Sequence, residues 1–282
     1  MTSGAPQRVL VTGARGQLAG AIVDTYKDCA RVLAYSREEL DIADADAVLA
    51  RVTADRPDAI INCAAYNHVD LAEDEPDKAL IVNAFGVRVL ARAADAIGAT
   101  LVHYSTDFVF DGRSARPYVE EDATNPQSVY AQSKLLGEWF AIEAPRAFVL
   151  RVESLFGGAN AKSSIDRIAQ SIREGREVNV FRDRIVSPSY VVDVAVATRA
   201  LLARGDPGLY HCVGTGHANW YEVGQEIARV IGKAHDARLQ PVSVADVTLR
   251  APRPQYAALA NDKLSRIVPV PSWQDALRRY LT

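Results

Sequence analysis

Short unbroken apolar runs alternate, through the first half of the chain, with longer stretches in which apolar residues recur every three or four positions. Residues 8–12 (RVLVT), 31–35 (RVLAY), 58–62 (DAIIN), 100–105 (TLVHYS) and 147–151 (AFVLR) have the length of strands. The first four hold continuous apolar runs, as expected of strands covered on both faces, the habit of parallel sheets. The segments 16–26, 43–54, 78–97 and 128–142 between them carry helical periodicity, and Pro57 and Gly98 stand just past two of their ends. The order β-α-β-α-β-α-β-α-β predicts an α/β fold built on a doubly wound parallel sheet of the Rossmann type.

After Arg151 the rhythm loosens. The spacing predicts helices near 164–174, 190–203 and 220–231, strands at 178–181 and 208–213, a proline-rich link over 251–255 (APRPQ) and a closing helix from Trp273. This pattern divides the chain into a dinucleotide-binding domain, residues 1–152 and 183–213, and a smaller substrate-binding part, 153–182 and 214–282, over the sheet's carboxyl edge.

Composition narrows the class. A chain of 282 residues, 49% of them hydrophobic, can bury a large core without disulfides. Its three cysteines are odd in number, widely spaced and lack a C-x-x-C pair, which argues against a disulfide framework or zinc site, and no metal is predicted. A net charge of −3, with both signs interspersed, predicts neither a nucleic-acid nor an anionic-membrane partner. No apolar stretch approaches the ~18–20 residues of a membrane helix, and the short polar start does not read as a signal peptide. The expectation is a cytoplasmic enzyme.

The first strand runs into Gly13-Ala14-Arg15-Gly16-Gln17-Leu18-Ala19. An ordinary strand-to-helix turn has the same outline, but two glycines three apart at this place suit a dinucleotide. Gly13 permits the tight turn, Gly16 lets backbone approach a pyrophosphate, and the helix N-terminus offers oriented N–H groups. The second strand ends Tyr35-Ser36-Arg37 with no acid until Glu38. An acid there favours NAD and a cation the 2′-phosphate of NADP, so Arg37 points to NADP with NAD left open. Asp41 and Ile42 follow as flanks for the adenine, although Asp41 also suits the cap region of the next helix.

Tyr130 and Lys134 stand one helical turn apart, close enough to interact. An ammonium beside a phenol favours the phenolate and is expected to lower the tyrosine pKa, as general acid–base transfer requires. The strand at 100–105 delivers Ser105-Thr106-Asp107 to the carboxyl edge of the sheet, where ligands bind in such folds. A dinucleotide turn, a hydroxyl and a Tyr/Lys pair thus converge on one cleft.

On these residues, together with Asn62-Cys63-Ala64-Ala65-Tyr66, Asn83, the block from His103 to Glu138, Gly208-Leu209-Tyr210-His211 and Arg253-Pro254, the chain resembles the extended short-chain dehydrogenase/reductase family over nearly its whole length. Within it the likeness is to reductases of nucleotide-linked 4-keto-6-deoxy sugars. The resemblance implies Thr106, Tyr130 and Lys134 as catalytic residues, Tyr130 and Lys134 also touching the cofactor. It implies Gly13, Gly16, Gln17 and Leu18 at the pyrophosphate, Ala64, Ala65 and Tyr66 along the cofactor, and Asp107, Val109 and Leu155 around the sugar. Arg253 is the candidate for the substrate diphosphate, because guanidinium suits phosphate; a purely structural role stays open.

Leu155 stands where such reductases often carry an aromatic, Ala257 where a serine is usual, and Ala21 where some relatives place an acid that bridges dimers through Mg²⁺. The implied partner is a nucleotide sugar, and a homodimer is left open. Two alternatives remain, an epimerase of nucleotide sugars and a non-catalytic NADP-binding regulatory subunit. Dehydration is discounted because Phe108 follows Asp107 where a second carboxylate would be needed.

Overall fold

The computed structural model describes residues 5–159 and 162–282. Its first half runs β1 (Arg8–Thr12), α1 (Gln17–Tyr26), β2 (Arg31–Tyr35), α2 (Ala45–Asp55), β3 (Ala59–Asn62), α3 (Pro76–Leu80), a π-helical turn (Ile81–Phe85), α4 (Gly86–Ile97), β4 (Thr100–Thr106), α5 (Val129–Ile142) and β5 (Ala147–Val152). There follow β6 (Leu155–Phe156), α6 (Ser164–Arg173), β7 (Val178–Phe181), β8 (Ile185–Val186), β9 (Ser189–Tyr190), α7 (Val191–Arg204), β10 (Gly208–His211), β11 (Ala218–Asn219), α8 (Trp220–Val230), β12 (Leu239–Val242), α9 (Asp262–Ser265) and α10 (Trp273–Leu281).

Six strands form one sheet in the order β10-β5-β4-β3-β1-β2, every pair parallel. Alternation along the strands explains why their runs are apolar throughout. Val9, Val11, Ile61, Val102 and Leu150 face one layer with Leu18 and Ile22 of α1 and Val191 and Val194 of α7. Leu10, Ile60, Leu101 and Val149 face the other, with Val48 and Val52 of α2 and Val87 and Leu90 of α4. The order reverses between β1 and β3, and the crevice outside their carboxyl ends is where such sheets hold ligands.

The predicted helix over 78–97 is three elements. The π-helical turn between α3 and α4 carries Asn83, whose side chain turns inward. Asn83 accepts from the Tyr66 N–H (2.8 Å) and donates to the Tyr66 carbonyl (3.0 Å) and to Ser133 of α5 (3.0 Å). Helix α5 is fastened to β5 by a buried two-pronged bond from Arg151 to Glu138, both contacts 2.8 Å. Over the carboxyl edge lies a separate core, in which Ile165 and Ile168 of α6, Val223 and Ile227 of α8 and Ala276 and Leu277 of α10 pack around Phe156.

Candidate active site

The cofactor side begins at Gly13, whose φ of +68° suits glycine, and where a side chain would lie 2.7 Å from the backbone nitrogen of Ala64. Asn62 ties the two strand ends, accepting from Thr12 Oγ1 (2.7 Å) and from the Ala64 N–H (3.1 Å). Gly16 N-caps α1 without a side chain to satisfy the helix's first N–H groups, which leaves them available to an anion. A cavity of about 700 Å³ is lined by Gly13, Gly16, Arg37, Asp41, Ile42, Ala64, Ala65 and Tyr66. After β2, the acids are drawn to arginines, Glu38 to Arg15 (2.8 Å) and Asp41 to Arg37 (3.4 Å).

A second cavity, about 360 Å³, shares Gly16, Cys63, Ala65 and Asn67 with the first and is lined by Gln17, Leu18, Thr106, Asp107, Tyr130, Lys134 and Leu155. Thr106 ends β4, donates to Asp107 Oδ1 (2.9 Å) and accepts from the Phe108 N–H (3.2 Å). Ser128 N-caps α5 and so sets the phase in which Tyr130 and Lys134 turn inward, 8% and 3% exposed. The Tyr130 hydroxyl shares the cavity with Thr106, and the Lys134 ammonium donates to the Tyr104 carbonyl at 2.6 Å.

The electrostatics correct one expectation. The Tyr130 pKa is raised, chiefly by burial and further by Asp107, while Thr106 pulls the other way. Lys134 does not lower it here; burial instead pushes Lys134 itself down to about 8, against the attraction of Glu138. In a dry site, the cost of holding a charge dominates both shifts.

Residues 7–282 match the family model for the RmlD substrate binding domain. The chain belongs to this family. It is 35% identical to a dTDP-4-dehydrorhamnose reductase of Sinorhizobium fredii, over 96% of either chain. It is also 35% identical to a dTDP-4-keto-6-deoxy-D-glucose reductase of Streptomyces niveus, covering 96% of this chain and 95% of that one. The crystal structure of a dTDP-4-dehydrorhamnose reductase from Bacillus anthracis in complex with NADP superposes with a TM-score of 0.92 at 32% identity, covering 99% of each chain.

Not every RmlD-family expectation survives on the sugar side. Asp107 and Leu155 line both the cavity of Thr106 and Tyr130 and a smaller one of about 200 Å³ beside Arg184 and Trp220. Val109 does not reach it, because it is fully buried in a cluster with Phe110, Tyr118 and Leu259. Arg253 bonds Asp70 at 2.8 Å and the Ala251 carbonyl at 2.7 Å, knotting the proline-rich link to the loop before α3, and its guanidinium lies 5.9 Å from the ring centre of Phe108, which Arg184 also covers. The guanidinium that lines the sugar-side cavity is that of Arg184, whose Nε is buried without a partner among the described residues.

Sequence reasoning also missed Glu153, which leaves β5 beside Asp107 and supplies a second carboxyl that Phe108 could not. The available signal was the alignment of the two strand ends, since Thr106 pairs with Val152. Burial raises the Asp107 carboxyl to about 6, although Arg184 and the bond from Thr106 both work against the shift.

Proposed function

We propose that the protein is an NADPH-dependent reductase of a dTDP-linked 4-keto-6-deoxyhexose. The observation that carries this reading is the meeting of two cavities at Gly16, Cys63 and Ala65, one lined by the glycine turn with Arg37, Asp41 and Ile42 and the other holding the hydroxyls of Thr106 and Tyr130. The uncapped start of α1 suits the pyrophosphate, and Arg37, which lines the same cavity and holds Asp41 only loosely at 3.4 Å, suits a 2′-phosphate.

NADPH supplies the hydride when bound. The chain's own residues polarise the keto oxygen and protonate it. The Thr106 and Tyr130 hydroxyls, which line one cavity, can turn their hydrogen bonds to a carbonyl oxygen whose negative charge grows in the transition state. Because the Tyr130 pKa is raised, the phenol remains protonated throughout the neutral range, and an alkoxide is a far stronger base than the phenolate left behind. Lys134 spends one N–H on Tyr104, leaving two for ribose hydroxyls, and stands one turn from the phenolate.

The test is NADPH oxidation with dTDP-4-keto-6-deoxy-L-mannose and with its D-gluco 4-keto counterpart, since the names of relatives span both sugars. Tyr130→Phe is expected to lower kcat by about 10²–10⁴ while still binding NADPH. A fully active Phe variant overturns Tyr130 as the acid. Cofactor binding with no oxidation of NADPH by the wild type on either sugar overturns the reductase.

A further inference from the structure

Asp107 and Glu153 leave neighbouring strands side by side, directly after the paired residues Thr106 and Val152. Both are buried, 3% and 1% exposed, and both line the cavity of Thr106, Tyr130 and Lys134. Each has one oxygen held. Asp107 Oδ1 accepts from Thr106, and Glu153 Oε2 accepts from the Ser187 N–H at 2.7 Å. Each has one oxygen without a hydrogen-bond partner among the described residues, Asp107 Oδ2 and Glu153 Oε1. A buried carboxyl oxygen left without a donor is costly, and two at one cavity wall exceed what holding Thr106 and Ser187 requires.

We propose that Asp107 and Glu153 form a second acid–base pair, which removes a proton from and returns one to a carbon next to the sugar's keto group, so that the cleft enolises its substrate as well as reducing it. This rests on the reading above, that a 4-keto sugar occupies the cleft. The carbon–hydrogen bond breaks toward an ionised carboxylate, which becomes the acid. Its electron pair forms a carbon–carbon double bond, and the carbonyl π pair moves onto oxygen, held by the Tyr130 hydroxyl. The reverse step returns a proton to carbon and restores the ketone. No electrons leave the sugar, so no oxidant is needed.

The charges divide the roles. Burial raises both carboxyls, Asp107 to about 6 and Glu153 further because of Asp107 itself, so the proton that the pair holds longer lies on Glu153. A base and an acid therefore stand together near working pH. The other ionisable groups facing the pair are Arg184, Tyr130, Lys134, Cys63 and, toward Glu153, Tyr256.

The experiment follows deuterium uptake from D₂O into dTDP-4-keto-6-deoxy-L-mannose at the carbons flanking the keto group, by mass spectrometry, with NADP⁺ present and NADPH omitted. NADPH oxidation is measured on the same preparation. Exchange about tenfold or more above the protein-free rate is expected, falling below about pH 6 as Asp107 takes up a proton. Asp107→Asn and Glu153→Gln are each expected to lower it about tenfold or more. NADPH oxidation without exchange overturns the pair and leaves the reductase standing; absence of both overturns both. Exchange that survives both substitutions, or climbs steadily with pH, belongs to Tyr130 and overturns the pair. The wild-type pH profile decides the matter even if a variant fails to fold.

Discussion

Lys134 is the residue at which function and stability pull apart. Its folded pKa of about 8 lies below the 10.5 of an unburied lysine, because the ammonium has been taken out of water. Between these values the unfolded chain binds more protons than the folded one, so this group's penalty is fully present below pH 8 and is relieved as pH rises toward 10.5. The gap corresponds to about 3 kcal/mol. Lys134→Met is therefore expected to be more stable than the wild type at pH 7, by up to about 3 kcal/mol in urea denaturation, with the difference shrinking above pH 8. The same variant should lose NADPH turnover. A variant less stable than the wild type at pH 7 would contradict the buried-charge account. The i, i+4 spacing made Tyr130 and Lys134 legible in the sequence, but the direction of their pKa shifts depends on how much water reaches them, which spacing does not encode.

Helix α5 places that pair, and it does so by packing against the π-helical turn. Gly137 lies against the Asn83 carbonyl so closely that a Cβ would collide with backbone oxygen. Gly137→Ala is expected to cost about 1–3 kcal/mol or more, seen as a lowered denaturation midpoint. It should also weaken NADPH binding, because Asn83 holds the Tyr66 backbone at the cofactor cavity. An unchanged midpoint and affinity would show that the turn yields freely. The apolar spacing over 78–97 gave no warning of this arrangement, since one extra residue in a turn leaves the recurrence of apolar positions nearly intact. Only the partners of Asn83, on a loop and on another helix, mark the place.

The assembled molecule sets the sheet's carboxyl edge beneath a second layer, with the cleft between them. Tyr256 N–H bonds the Gly112 carbonyl at 3.0 Å, and Arg253 bonds Asp70, so the proline-rich link is fastened to the loops that follow β4 and β3. A ligand that binds only this folded arrangement must stabilise it: NADPH at a hundred times its Kd contributes about 2.7 kcal/mol, or about 5–10 °C in Tm. NADH at the same concentration should shift Tm less, and equal shifts would remove Arg37 from the 2′-phosphate. The order of strands and helices, the glycine turn and the Tyr/Lys pair were legible in the sequence because each follows from side-chain periodicity or backbone sterics within a few neighbours. The meeting of Asp107 with Glu153, the lining of the sugar-side cavity by Arg184, and the retreat of Val109 into a core were decided only in three dimensions. They depend on contacts between residues tens of positions apart and on the exclusion of water, and neither is written in any local pattern.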